Sequence, residues 1–309
     1  MDPLQFFAAS RVLVVAGKGG VGKTTVTAVL ARAAADSGLR VLVVDVEGKP
    51  GLAGLLGGAT DAALPYEETV LVSGCGPDGT GSIAGRSITA GAALIEYLDD
   101  HGLRRVSKRL ADTGVLDVVS TAAPGIEDIL VLGKVKQLER AGQADVIVLD
   151  GPAAGHAITF LQSASGLLDA VTVGPIQAQA KDVVELLSDP TRCQVVLVTL
   201  PEETPVNELV ETSFALEDRV GTALAPIVVN ALYPPRALSP DLAADPDARA
   251  AAVFRRERCA EQDEQLRRLA AQLPLPQIVL PFVFTAGLDA ADVDALVPVF
   301  LDGVQALPA

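Results

Sequence analysis

The segment that most constrains the fold is a glycine-rich loop between an apolar run and a helical stretch. Residues 12–16 are apolar, residues 26–35 have helical character, and between them lies Gly17-Lys18-Gly19-Gly20-Val21-Gly22-Lys23-Thr24-Thr25. This is the pattern G-x-x-x-x-G-K-[S/T] in its required setting of strand, loop and helix. The glycines let successive backbone N–H groups point at a phosphate, and the helix N-terminus adds its positive dipole. The sequence therefore predicts a phosphate-binding loop over residues 17–25.

Two side chains of this loop have distinct predicted roles. Lys23 is expected to neutralise the β and γ phosphates of a nucleoside triphosphate, and the Thr24 hydroxyl is expected to ligate Mg²⁺. The loop alone therefore predicts a bound nucleotide together with a magnesium ion.

Short apolar runs, most of them followed by a helical stretch, indicate an α/β fold with a mostly parallel central sheet. Several runs are apolar at consecutive positions, which is typical of strands covered by helices on both faces. We predict one domain over residues 1–309. The predicted strands are 12–16, 41–44, 146–149, 195–200, 227–229 and 278–280.

The hundred residues between the second and third runs have a different texture. Residues 55–90 are rich in Gly and Ala and are predicted to be loop with one edge strand at 69–73. Helical patterns follow, so we predict a helical insertion over about residues 85–142. The predicted helices are 92–98, 103–110 and 126–138, with a polar helix at 245–273 and an acidic amphipathic helix at 289–306 closing the chain.

Carboxylates follow two of the predicted strands. Asp150 ends the third run and is the expected magnesium partner, because open α/β sheets carry ligand groups at the carboxyl ends of their strands. Asp45 and Glu47 lie two positions apart after the second run, so both can face one pocket. We assign Glu47 to orient and deprotonate an attacking water and Asp45 to support the metal. The alternative, that either is a solvated loop carboxylate, stays open because the loop residues 48–51 follow.

Composition excludes several classes of function. The chain has 24 Lys and Arg against 39 Asp and Glu, for a formal charge of −15, which disfavours binding to nucleic acid. No long uncharged apolar run is present, so we expect a soluble cytoplasmic protein without stable membrane insertion. Cys75, Cys193 and Cys259 are widely separated in the sequence and indicate neither a disulfide framework nor a thiolate metal site.

Two motifs carry a resemblance to a known family. Lys18, directly after the first glycine, resembles the deviant Walker A loop of the MinD/ParA class of P-loop ATPases. The segment Asp150-Gly-Pro-Ala-Ala-Gly155-His156 resembles switch II of the ArsA family, which includes the arsenite-pump and tail-anchored-protein-targeting ATPases. Residues 123–127, 200–202 and 226–232 agree in order, so the resemblance spans nearly the whole chain.

The resemblance implies a dimeric ATPase that uses ATP and Mg²⁺. Lys18 would then reach the nucleotide of the other subunit, Asn230 would contact the adenine edge, and Pro281 and Phe282 would flank the base. The nucleotide state would switch the helical insertion to act on a partner protein or a membrane complex. The dimer could contain two copies of this chain or one copy and an ArsA-like paralogue, and the client is not identified by the sequence.

This sequence departs from the family pattern at several positions, and these differences limit which family properties can be expected of it. Glu47 stands where the family has Asp, so hydrolysis is expected to be slow, because a displacement near 1 Å costs on the order of 10²-fold in rate. Switch II lacks two hydroxyls, and His156 is either a switch residue or a packed side chain. One P-loop and scattered cysteines do not support arsenite efflux, and the absence of C-x-x-C and of any methionine beyond Met1 does not support a transmembrane-segment client.

Two alternative functions fit the sequence less well. A MinD/ParA-type positioning ATPase would need a basic tail or a basic face, whereas residues 288–309 contain four Asp and no Lys or Arg. An ATP-dependent ligase of the dethiobiotin-synthetase type would need a dedicated pocket for its small substrate. The switch II segment favours the ArsA-like interpretation over both.

Overall fold

The computed structural model of the protein describes residues 1–46, 48, 50–58, 63–100, 102, 104–105, 107–108, 125–170, 175–235 and 245–308. The strands in chain order are β1 Val12–Gly17, β2 Arg40–Asp45, β3 Thr69–Cys75, β4 Gly81–Ser87, β5 Val146–Ala153, β6 Cys193–Thr199, β7 Ala223–Leu224, β8 Ile227–Leu232 and β9 Gln277–Pro281. The helices are α1 Pro3–Ala8, α2 Lys23–Asp36, α3 Leu52–Leu55, α4 Ala90–Asp100, α5 Ile126–Ala141, α6 Ala154–Ala170, α7 Pro175–Ser188, α8 Glu203–Ala215, α9 Pro246–Gln272 and α10 Ala290–Gln305, with a π-helical turn at Leu216–Val220.

The described strands form one sheet. Its order is β3-β4-β2-β5-β1-β6-β8-β9, and the short β7 pairs with β6. Every pairing is parallel except that of the edge strand β3 with β4. The predicted α/β fold with a mostly parallel central sheet is confirmed, and β1 lies in its interior between β5 and β6.

Both faces of the sheet are covered by helices, and this explains the continuous apolar runs. All six residues of β1 are buried. Leu13 and Val15 pack into a cluster with α2 and α10, whereas Val12 and Val14 pack into the opposite cluster with α5, α6 and α7. Because alternate residues of a strand point to opposite faces, each face needs its own apolar set.

One part of the prediction for residues 55–90 was wrong. The edge strand at 69–73 is confirmed within β3, but residues 81–87 form β4 rather than loop, and β4 pairs parallel with β2 from Ser82 to Ser87. Its glycines are required by close packing, since a Cβ on Gly81 would overlap the carbonyl oxygen of Ala35. The predicted helical insertion therefore begins inside a strand, and helices α4 and α5 come after it.

The remaining helical predictions have clear outcomes. The stretches at 92–98 and 126–138 are confirmed within α4 and α5, and those at 245–273 and 289–306 match α9 and α10 to within one residue at each end. The stretch at 103–110 lies largely outside the described residues. Among the described helices, none combines the length and the apolar character needed to cross a bilayer.

Candidate functional site

The predicted phosphate loop leaves β1 in the interior of the sheet and enters α2 at Lys23. Gly17 lies so close to the carbonyl oxygen of Val198 on β6 that a Cβ there would overlap it. Gly20 and Gly22 have φ of +86° and +89°, in the left-handed region that favours glycine. The backbone therefore requires glycine at positions 17 and 22, which the motif specifies, and favours it at position 20 as well.

Thr24 and Asp150, predicted as magnesium ligands, lie at hydrogen-bond distance. The Thr24 hydroxyl donates to Asp150 Oδ2 at 2.8 Å, and the Thr27 hydroxyl donates to Oδ1 at 3.3 Å. Lys23 Nζ donates to the carbonyl oxygen of Lys18 at 3.4 Å, so its ammonium group lies over the loop. The lysine, the hydroxyl and the carboxylate of the prediction are thus brought together at the end of β1.

Asp150 is flanked by a second buried carboxylate. Asp45 on β2 lies opposite Asp150 in the register of the sheet. Asp45 is 3% exposed and Asp150 is 7% exposed. Burial, reinforced by the charge of Asp45, raises the pKa of Asp150 to about 6, although the Thr24 and Thr27 hydrogen bonds and Lys23 act in the opposite direction. Two carboxylates and a hydroxyl are the hard oxygen ligands that Mg²⁺ prefers, so this donor set fits the implied ion.

The predicted base contacts line one cavity. Asn230, Pro281 and Phe282 border a space of about 330 Å³ that also touches Thr25 on α2. Asn230 Nδ2 donates to the carbonyl oxygen of Val21 at 3.0 Å, which ties this cavity to the phosphate loop. The Phe282 ring stacks on Tyr233 with ring centroids 4.9 Å apart. The arrangement places a pocket of ligand size beside the phosphate loop.

Lys18 points toward α8. Its Nζ lies 2.6 Å from Glu208 Oε1, and the two side chains are 36% and 39% exposed. Two further residues were predicted to belong to the site. Glu47 lies outside the described residues, and so does the side chain of His156. Their predicted roles therefore stay predictions.

The structure adds three residues that the sequence analysis missed. Thr27 could have been found, because it lies one helical turn after Thr24 and faces the same carboxylate. Ser87 is the register neighbour of Asp45 on β4, and its buried hydroxyl has no hydrogen-bond partner among the described residues. Glu208 is 190 positions from Lys18, so no local pattern could have indicated their contact.

Comparison with known proteins agrees with this geometry. Residues 12–117 match the family model described as CobQ/CobB/MinD/ParA nucleotide binding domain, and residues 99–173 match that described as anion-transporting ATPase. The first model covers the phosphate loop and β2, and the second covers Asp150 and all of α6.

Curated relatives point the same way. The chain is 33% identical over 242 residues to the ATPase BagA of Mycobacterium tuberculosis, an alignment that covers 75% of this chain and 68% of that protein. It is 27% identical over 310 residues to the arsenical pump-driving ATPase of Acidiphilium multivorum, which covers 90% of this chain and 48% of that protein. The chain belongs to the ArsA-like P-loop ATPases.

Proposed function

We propose that the protein binds and hydrolyses Mg-ATP as a dimer and couples its nucleotide state to a conformational switch that acts on a partner protein or a membrane complex. The observation that carries the proposal is the contact of Thr24 with Asp150 at 2.8 Å, directly beside Lys23 and Asp45. A buried carboxylate with a raised pKa next to a lysine and a hydroxyl is unfavourable in isolation and fits a cation site.

The residues of the chain divide the work on ATP. The backbone N–H groups of residues 19–24 and the start of α2 hold the phosphate oxygens, while Lys23 balances their charge. Bound Mg²⁺ would neutralise charge that develops on the phosphates. Thr24, Asp45 and Asp150 would hold this ion, and Glu47 would orient and deprotonate the attacking water.

The cavity bordered by Asn230, Pro281 and Phe282 supports the part of the proposal that concerns adenine recognition. Asn230 has one N–H bonded to Val21, which leaves the rest of its amide for the edge of a base. Pro281 and Phe282 form the apolar wall of the same cavity. An adenine held there would be continuous with a triphosphate on the loop, because Thr25 borders the cavity as well.

Dimer formation rests on Lys18. In the dimer Lys18 would leave Glu208 and contact the nucleotide of the other subunit, whether that subunit is a second copy or an ArsA-like paralogue. Ordering of the segments after Asp45 and Asp150 by the γ phosphate would then signal to the client. The formal charge of −15 favours a client other than nucleic acid.

The test measures ATP binding, ATP turnover and the mass of the oligomer. We expect calorimetry to detect Mg-ATP binding, slow phosphate release from ATP and Mg²⁺ alone, and an ATP-dependent dimer by sedimentation. Lys23→Ala should abolish all three, because the lysine contacts the β and γ phosphates. The exposed Lys181 on α7 gives the matched control, and Lys181→Ala should behave as wild type.

For each of these measurements, one outcome would contradict the proposal. Equal phosphate release by Lys23→Ala and wild-type protein would contradict the site assignment. A saturated protein that stays monomeric would contradict the dimer, and mass analysis of the complex from its own cell would show whether a paralogue is required. A requirement for an added small carboxylate or amine would instead indicate a ligase.

A further inference from the structure

Helix α9 has very few buried residues, yet one of them is an amide side chain. Of its 27 residues only Gln262 and Leu269 are buried, and Gln262 is 2% exposed. A buried amide is unfavourable unless its donors and acceptors are hydrogen-bonded. The partners of Gln262 therefore indicate what this helix holds in place.

Both partners of Gln262 are backbone groups at the end of β8. Its Oε1 accepts from the N–H of Tyr233 at 2.8 Å, and its Nε2 donates to the carbonyl oxygen of Ala231 at 3.4 Å. The pairing of β8 with β9 shifts register between Val229 and Leu232, which marks a bulge. Ala231 has φ of 59°, the one positive value at a non-glycine position in the described chain. The amide thus satisfies polar groups that the bulge removes from the sheet.

This bulge carries the proposed base contacts. Asn230 directly precedes Ala231 and donates to Val21 on the phosphate loop at 3.0 Å. On the other side, the N–H of Phe282 donates to the carbonyl oxygen of Leu232 at 2.8 Å. A displacement of the bulge would therefore move Asn230 and Phe282 together.

The same face of α9 also contacts the residues that directly follow β8. Arg255 Nη2 donates to the carbonyl oxygen of Pro234 at 2.6 Å, and the Cys259 thiol donates to that of Tyr233 at 3.7 Å. Arg255, Cys259 and Gln262 are spaced by four and three residues, so they lie along one stripe of the helix. This stripe contacts the backbone of residues 231–234.

The neighbouring face of α9 is joined to α8. Arg258 pairs with Glu202, the N-cap residue of α8, and Arg268 hydrogen-bonds Asn207 on α8 itself. Helix α8 also carries Glu208, the partner of Lys18. One helix pair therefore contacts the segment beside the base cavity and the lysine beside the phosphate loop.

We propose that Gln262 is a positioning residue for the nucleotide base, which holds the β8 bulge so that Asn230 and Phe282 keep the geometry needed to bind adenine. The phosphate contacts come from residues 17–25, and Gln262 hydrogen-bonds none of these residues directly. The inference rests on the proposed ATP site, and it names the residue that sets affinity for the base rather than for the triphosphate.

The test compares Mg-ATP with magnesium tripolyphosphate, which lacks the base, by calorimetry. Gln262→Leu should weaken Mg-ATP binding about tenfold, because two hydrogen bonds that hold the base contacts are lost. Binding of tripolyphosphate should stay within about twofold of wild type. Gln272→Leu, at an exposed glutamine of the same helix, is the matched control and should change neither affinity.

Rescue and exchange measurements separate positioning from a general structural role. Gln262→Glu keeps the acceptor for the Tyr233 N–H and loses the donor, so at pH 8 its affinity for Mg-ATP should lie between those of wild type and Gln262→Leu. In wild-type protein, Mg-ATP should slow hydrogen exchange of the Tyr233 amide more than tripolyphosphate does. If Gln262→Leu does not fold, the glutamate variant and the exchange experiment decide.

The contrary results are distinct from those that would overturn the ATP site. Equal losses for Mg-ATP and tripolyphosphate, or unchanged Mg-ATP affinity in a folded Gln262→Leu protein, would overturn the role of Gln262 alone. Equal protection of Tyr233 by both ligands would do the same. Wild-type protein that binds no Mg-ATP would overturn the proposed function, and this inference with it.

Discussion

Lys18 Nζ lies 2.6 Å from Glu208 Oε1, so the lysine that the family resemblance assigns to a neighbouring subunit is held by its own chain. Both side chains are more than a third exposed, and an ion pair of this kind contributes about 0.2–1 kcal/mol. Closing a dimer over ATP through Lys18 would require this contact to break. In the proposed dimer, Glu208 would therefore compete with the nucleotide for the ammonium group of Lys18.

Glu208→Gln should favour the dimer. Removing the carboxylate charge frees Lys18, so the Mg-ATP concentration for half-maximal dimer formation should fall about twofold to fivefold. Sedimentation across a series of Mg-ATP concentrations measures this value. The gain should shrink at high salt, because salt screens the pair in the wild-type protein.

Two further variants control for helix effects at Glu208. Glu211→Gln removes an exposed charge from the same helix without touching Lys18 and should leave dimer formation unchanged. In a Lys18→Ala background, Glu208→Gln should have no effect. A dimer that weakens in Glu208→Gln protein would show that the carboxylate supports association rather than restraining it.

Asp150→Asn should stabilise the protein that carries neither nucleotide nor metal. Burial raises the pKa of Asp150 from 3.8 to about 6, so the folded state binds more protons than the unfolded state between pH 4 and 6. The free energy of unfolding therefore falls as pH rises through this window, by about 3 kcal/mol. Asparagine lacks this cost but also loses about one hydrogen bond, so the variant should gain about 2 kcal/mol at pH 8.

Urea unfolding from pH 4.5 to 8 measures this difference, which should shrink toward the acid end. Mg-ATP binding should fall in the same variant. Asp145→Asn gives a control of opposite sign, because the hydrogen bond from Arg40 lowers the pKa of Asp145 and its loss should cost less than about 1 kcal/mol. A destabilised Asp150→Asn protein at pH 8 would contradict the buried-charge explanation.

The parts of the fold that could be predicted are those whose residues form a continuous pattern in the sequence. Six strands were found because apolar runs are continuous in a sheet covered on both faces. Strand β4 was missed because Gly81 and Gly85 interrupt its apolar pattern, and their lack of side chains makes room for the carbonyl of Ala35 and the side chain of Leu71. Close packing of this kind becomes visible only when distant elements meet.

The same limit applies to the site. The phosphate loop and Asp150 follow from local motifs, since each lies at the end of a strand that its own residues predict. The contacts of Glu208 with Lys18 and of Gln262 with Tyr233 join positions 190 and 29 residues apart. These contacts depend on how helices pack on the sheet, and periodicity carries no information about such pairs.

Glu47→Gln should slow hydrolysis without weakening binding. Glutamine can hold a water through hydrogen bonds but cannot accept its proton, so turnover should fall about 10²–10⁴-fold. Mg-ATP affinity should stay near the wild-type value, and an ATP-bound dimer should accumulate. Phosphate release and sedimentation with excess Mg-ATP measure the two effects, with the exposed Glu67→Gln as control. Unchanged turnover would assign the proton acceptor to another residue.

Gly22→Ala should be more damaging than Gly20→Ala, although the two glycines have nearly the same φ. An alanine in the left-handed region costs roughly 1–2 kcal/mol, and this cost is common to both variants. A Cβ on Gly20 meets nothing within 4 Å, whereas a Cβ on Gly22 would overlap the Asn230 amide nitrogen. Gly22→Ala should therefore cost about 1 kcal/mol more, because the Asn230 amide must turn away and lose its hydrogen bond to Val21.

Urea unfolding of both variants measures the difference, and Asn230→Ala identifies its cause. In the Gly22→Ala background, Asn230→Ala removes the amide that the new Cβ would meet, so the double variant should be less destabilised than the sum of the single changes. In the Gly20→Ala background the two costs should add. Additive costs in both backgrounds would show that backbone strain alone requires glycine at position 22 and that the Asn230 amide does not restrict a Cβ there.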